Sequence, residues 1–283
     1  MMQTSARPVG DHLRSWRQRR RMSQLDLAVE AQISQRHLSF LESGRSAPSR
    51  EMVLKLAERL ALPLRERNVL LHAAGYAPVF PERSLDDPAL RPARAAVDLV
   101  LKGHEPYPAL AVDRHWTLVA ANAALAPLLA GVPDGALLNP PVNVLRLSLH
   151  PRGLAPRIAN LAEWRAHLLE RLRHDIDVTG DAILVRLMRE LSGYPNANAC
   201  GAGLGPTADY AGVVVPLRLV TDAGVLSFFS TTTVFGTPVD VTLSELALEA
   251  FFPADEVTAE ALRAATPSSS ASSRHPGNAS RTG

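Results

Sequence analysis

Between residues 22 and 49, in "MSQLDLAVEAQISQRHLSFLESGRSAPS", a serine opens an apolar-periodic run three times. A side-chain oxygen at that position satisfies one of the orphan N–H groups of a helix start, so each serine marks an N-terminus. Ser23 is followed at the capping-box spacing by Asp26, and Leu27, Ala28 and Ala31 give that helix its inner face. Ser34 caps the next helix, with Leu38 and Leu41 inward and Gly44 as its stop. Pro48 and Ser49 open another, striped by Val53, Leu56, Ala57 and Leu60. Val9, Leu13 and Trp16 predict a helix before this series, and Pro63 to Gly75 bound one after it. Five short helices in about seventy residues form an all-α bundle that presents one helix rather than burying it.

That presented helix is the one begun by Ser34. On a helical wheel Leu38 and Leu41 define the inner side. Arg36, Phe40 and Ser43 fall roughly opposite, Ser39 lies beside them, and Gln35 and His37 occupy the first turn. Gln suits adenine and Arg suits guanine, each as a bidentate partner in the major groove, at about 1–3 kcal/mol of discrimination per pair. Phe40 either touches a thymine methyl or folds onto a neighbouring helix. Charge points the same way. Residues 1–84 hold 14 Arg/Lys against 8 Asp/Glu, whereas residues 85–283 hold 16 against 20. A basic amino-terminal part joined to a mildly acidic remainder is the footprint of nucleic-acid binding. The run Arg19, Arg20, Arg21 adds an expected general attraction to phosphate.

The stretch "SQLDLAVEAQISQRHLSFLESGRSAPSREMVLKLAERLAL" resembles the Cro/repressor-like helix-turn-helix of the XRE family, over residues 9–76. The resemblance implies that Gln24 contacts phosphate, that Gln35, Arg36 and His37 read or approach bases, and that Arg45 and Ser49 lie near the DNA backbone. It also implies an ion pair between Arg17 and Glu42. With Ser34, Ser39 and Phe40, these residues make up the expected DNA-binding set.

Residues 77–91, rich in proline, are expected to be a linker. Beyond them the texture changes. "ALAVDRHWTLVAAN" (109–122) predicts a hairpin, residues 154–176 the longest helix, and residues 181–192 another. Three strands follow, joined at 222–224 and 236–238; the one over 225–235 has apolar groups on both faces and is expected to be central. Strands, helices and strands again predict an α+β domain with an antiparallel sheet, so the chain is multidomain. Residues 1–8 are expected to be a flexible start, and the Ser/Pro/Gly-rich residues 266–283 a disordered tail. The loop 193–212 is read as a lid or as a plain flexible connection.

The order of "HEPYPALAVDRHWTLVAAN", "NVLRLSLHPRGL", "IANLAEWRAHLLERL" and "FFPADEVTAEAL" resembles the ligand-binding domain of MmyB-like regulators, over residues 92–265. The resemblance implies a PAS-like fold around an apolar pocket and a small apolar, fatty-acid-like ligand. Trp116 and Phe228 are candidate pocket residues, with ordinary core as the alternative. Asn143, Arg146 and His150 form a polar stripe if 142–150 is helical. Either Arg146 pairs with a carboxylate head group, or the stripe is a solvated helix face.

Enzyme readings find little support. His167 and His174 lack a third ligand at metal spacing, the single Cys200 has no recognisable base in a known motif, and no nucleophile elbow occurs. No catalytic residue, metal or cofactor is expected. No secretory signal or bilayer-spanning run is seen, which predicts a cytoplasmic protein with no membrane partner. The expected function is that of a homodimeric, sequence-specific transcription regulator bound to double-stranded DNA and controlled by a small apolar ligand. The rivals are a constitutive DNA-binding protein whose second domain only dimerises, and a small-molecule enzyme with a DNA-binding appendage.

Overall fold

The computed structural model describes residues 7–195 and 215–265. Cys200, most of the small-residue loop, nearly all of the expected flexible start and the expected tail lie outside those residues.

The amino-terminal half is five helices: α1 (Val9–Arg19), α2 (Gln24–Glu30), α3 (Gln35–Glu42), α4 (Arg50–Arg59) and α5 (Leu64–Ala73). The serine signals act as expected. Ser23 forms a complete capping box with Asp26, Ser34 accepts from the His37 N–H, and Ser49 accepts from the Met52 N–H. Gly44 and Gly75 follow α3 and α5 at φ +72° and +84°, the left-handed conformation that a side chain disfavours. Leu13, Trp16, Leu27, Leu38, Leu41, Leu56 and Leu71 close one buried core.

The second half begins with α6 (Arg91–Gly103), which the proline-rich texture around it conceals in the sequence. Strands β1 (Ala109–Val112) and β2 (Leu118–Ala121) make the expected hairpin. Then come α7 (Ala126–Leu129), α8 (Val144–Leu149), α9 (Leu161–Thr179) and α10 (Ala182–Ser192). Strands β3 (Leu217–Thr221) and β4 (Gly224–Val234), α11 (Val241–Ser244), β5 (Ala247–Pro253) and α12 (Glu256–Ala265) complete the fold. The five strands form one antiparallel sheet in the order β2-β1-β5-β4-β3, a PAS-like arrangement. Helices α8, α9 and α10 cover one face, and Leu145, Trp164, Leu168, Leu172, Leu184 and Leu219 pack between the layers.

Two expectations change. The longest helix starts at Leu161, not at 154: residues 155–157 form a separate 3-10 turn, and Ile158 after it is extended, at ψ +107°. Ile158 then bridges to Leu219 in β3. The strand over 225–235 is not fully covered: Leu226 and Phe228 are buried, but Thr231 to Val234 are exposed, and β5 is the middle strand. The stretch expected to be a linker is tied to both neighbouring parts over residues 79–83. The Asn68 Oδ1 accepts from the Val79 and Phe80 N–H groups, the Val241 N–H donates to the Pro81 carbonyl, and Arg83 pairs with Asp240. Among the described residues no helix is long and apolar enough to cross a membrane.

Candidate nucleic-acid interface and ligand cavity

Helix α3 stands on a buried ionic post. The Arg17 Nε and Nη2 donate to the two oxygens of Glu42 at 2.6 and 2.9 Å, and the Glu42 side chain is fully buried. Arg17 also donates to the Met22 carbonyl, which ties the α1–α2 turn to the same group. The Gln24 Nε2 donates to Glu42 at 2.9 Å, so one amide hydrogen is fixed and the other is left for a partner at the surface. Burial alone would push the Glu42 carboxyl up. Hydrogen bonds from Arg17 and Gln24, with the charges of Arg17 and Arg14, outweigh it and hold the group below the usual glutamate range.

From this post the first turn of α3 projects outward. Gln35 and Arg36 are exposed, and His37 is half-buried. Ser39 and Phe40 are half-buried and Arg45 is exposed. Phe40 does not belong to the core of the helical half. Its ring lies under two cations, with the Arg36 guanidinium 5.3 Å and the Arg45 guanidinium 5.9 Å from its centroid. It thus holds the two outer arginines together rather than folding onto a neighbouring helix. Ser34 and Ser49 use their hydroxyls as caps. Arg19 and Arg20 point away from this surface. Arg19 donates to the Ile176 carbonyl, and Arg20 to Asp177 and Val178 as well as to Leu60 and Ala61. Two of the three arginines of that run are thus engaged with the second half, and Arg21 is exposed.

Between the sheet and α8–α9 lies an apolar cavity of about 100 Å³, walled by residues that include Leu110, Trp116, Leu145, Leu168, Phe228 and Phe251. Trp116 and Phe228, both singled out in the sequence, meet there. Trp116 is held at φ +63°, a conformation costing a bulky residue on the order of 1–3 kcal/mol. The turn that enforces it is built on Asp113, whose Oδ1 accepts from the His115 and Thr117 N–H groups. The polar residues lining the cavity are Ser148, Ser230, Arg171 and Glu249. The Arg171 guanidinium grips buried Glu249 at 2.5 and 3.1 Å and lies 4.8 Å from the Trp116 ring centroid.

Asn143, Arg146 and His150 are not among the lining residues. Asn143 caps α8, Arg146 forms a bidentate pair with Glu190 on α10 at 2.7 and 2.8 Å, and His150 packs edge-on against Tyr194. They do not share a helix face, because Asn143 and His150 are the two caps of α8. Sequence reasoning missed Arg171 and Glu249. The signal was present: one cation and one anion, each set into an otherwise apolar inward face, "WRAHLLER" and "ALEAFF".

Trp116, Arg171 and Glu249 also border a second cavity, of about 520 Å³, between the two halves. Its other wall is Pro63, Arg65 and Glu66 of the helical half. Arg65 spans the gap to Glu245 with two hydrogen bonds at 2.7 and 2.8 Å. Desolvation raises the carboxyls of Glu66 and Asp175, which both face this space.

Compared with known families, residues 93–265 match the model of the MmyB-like transcription regulator ligand binding domain, which is more than half of the chain. Residues 13–67 match a helix-turn-helix model. No curated protein matches the chain.

Proposed function

The chain belongs to the MmyB-like transcription regulators, DNA-binding proteins with a small-molecule domain, and on that premise we propose that it reads an operator as a homodimer whose grip is set by an apolar, fatty-acid-like ligand. In this reading residues 9–76 form the DNA-binding unit, residues 77–91 the connection and residues 92–265 the sensor, and the chain is not an enzyme. The observation that carries it is the exposed first turn of α3, mounted on the buried Arg17–Glu42 pair. Gln35 and Arg36 read bases, with His37, Ser39 and Phe40 at the groove wall. Gln24, Arg45 and the caps at Ser34 and Ser49 lie against phosphates, where helix amino ends favour anions. Two such heads occupy half-sites about 34–36 Å apart.

The ligand enters the cavity between the sheet and α9. Its chain lies against Trp116 and Phe228, and Arg171, already paired with Glu249, is the arginine among the lining residues. Asn143, Arg146 and His150 act by supporting the wall through α8 rather than by touching the ligand.

Selection of duplexes from a random pool by the full chain tests the proposal, with delipidated protein and with protein loaded with dodecanoate. A two-fold symmetric site should be enriched, and Arg36→Ala should relax one G·C position by about 1–3 kcal/mol. Loading should change the affinity for the selected site. Failure to enrich any sequence in dilute buffer would remove the DNA reading; enrichment without a ligand effect would leave a constitutive binder.

A further inference from the structure

The longest helix of the sensing half touches both things the regulator must connect. Trp164, Leu168 and Arg171 of α9 line the apolar cavity. Asp175 and Val178, further along the same stripe, line the space between the halves. The residues recur at helical spacing, so one face of one rod, about 28 Å long, runs from the ligand to the junction. At its carboxyl end the last carbonyls run out of helical donors: Ile176 still accepts the Gly180 N–H at 2.7 Å, and Asp177 and Val178 follow it. Arg19, the last residue of α1, adds an Nη1 donor to the Ile176 carbonyl at 3.1 Å, and Arg20, the cap that follows it, reaches Asp177 at 3.4 Å and Val178 at 3.3 Å. Arg20 at the same time holds the Leu60 and Ala61 carbonyls at the end of α4. Gly180, the left-handed cap of α9, lies so close that an added Cβ would stand 2.7 Å from the Arg19 guanidinium carbon. The same α1 carries Arg17, the residue that anchors α3.

We propose that Arg19 and Arg20 are positioning residues that couple the ligand cavity to the DNA-reading helix, gripping the end of α9 so that its displacement moves α1 and, through Arg17–Glu42, α3. The inference rests on ligand control as proposed above. The cavity of about 100 Å³ is well below the roughly 300–1,000 Å³ of small-molecule sites, so an occupant must part its walls. A close-packed interior passes that strain on, and α9 is the wall that ends on the other half.

The test measures affinity of the full chain for its selected duplex, with and without saturating dodecanoate, in four forms: unaltered, Arg19→Ala/Arg20→Ala, Arg19→Lys/Arg20→Lys and Gly180→Asn. Asn tolerates the left-handed backbone of Gly180 while its side chain displaces Arg19. The unaltered chain should respond by about fivefold or more, the scale of coupling between sites. The double Ala and the Gly180 variants should keep their ligand-free affinity but lose the response, and the double Lys variant, still able to donate to carbonyls, should recover part of it. A full response in the double Ala variant would overturn the inference. So would a loss of ligand-free affinity with the salt slope reduced by about 0.9 per arginine, the mark of phosphate contact. No response in the unaltered chain would strike the ligand reading instead. Leu168→Phe, which loads the cavity from α9 itself, then decides the coupling: its effect on duplex affinity must vanish in the double Ala background, and persistence there refutes the role of the arginines.

Discussion

Glu42 is the residue on which the DNA-reading surface depends. Its side chain has no exposure, and Arg17, at 11% exposure, gives it two hydrogen bonds. Removing one partner of such a pair leaves a buried charge uncompensated, so Arg17→Ala should destabilise the helical half by about 3–5 kcal/mol. The pH dependence has a definite sign. The Glu42 carboxyl is held below its ordinary range, because its hydrogen bonds and cationic neighbours outweigh burial. A depressed carboxylate contributes stability that is present above the unfolded-chain value and is lost as pH falls through the folded value. Urea unfolding should therefore show the helical half weakening on acidification below the ordinary glutamate range. Glu42→Gln, which cannot titrate, should be weaker at neutral pH and flatter in acid. An acid limb as steep in Glu42→Gln as in the unaltered chain would assign the acid loss to other carboxylates.

At the scale of elements, α3 is eight residues long, too short to persist without its cap and its packing. The Ser34 hydroxyl accepts the His37 N–H at 3.1 Å, in the turn that carries Gln35 and Arg36. Ser34→Ala should cost about 1 kcal/mol of stability and fray that turn. Operator affinity should then fall more than affinity for random duplex, and Ser34→Asp should restore the fold. Equal losses on both duplexes would place the effect in stability alone. Caps of this kind were legible in the sequence because cap and partner lie three residues apart, and the same holds for the glycine stops and the β1–β2 hairpin. Pairings across the chain were not legible. Nothing local in "ALAV" says that β1 pairs with β5, and nothing in "GVLSFFSTTTVF" says that the last residues of β4 face solvent. Arg171 and Glu249 read as isolated charges until the sheet and α9 bring them together. Helix α6 was hidden for another reason: Pro92 sits in its first turn, where proline is compatible with a helix, yet reads as a breaker beside Pro88.

At the scale of the molecule, the question is how firmly the two halves hold one another. The principal clasp is Arg65, which donates twice to Glu245 and once to Glu82. Arg83–Asp240 and the Val241 N–H to Pro81 carbonyl bond lie beside it. Opposing the clasp is Glu66, a half-buried carboxyl at the same junction, raised above its ordinary range by desolvation and by the charge of Asp181 despite Arg114, Arg65 and Arg19. A raised carboxyl favours the docked state once protonated; the advantage is present in acid and is lost as pH rises through the docked-state value. Docking should therefore tighten on mild acidification, and Asp175, raised mainly by burial on the facing wall, adds to the same trend. Trypsin cutting at Arg83, inside the pinned connection, gives a readout of opening. Glu245→Ala removes charge-assisted bonds to a partly exposed arginine, each worth about 1.5–3 kcal/mol at most, so cutting should accelerate about tenfold per 1.4 kcal/mol lost. Glu66→Gln should act the other way, slowing cutting at neutral pH and flattening its pH dependence. If Glu245→Ala leaves the rate unchanged while Arg19→Ala/Arg20→Ala raises it, the end of α9 rather than Arg65 is what holds the halves together.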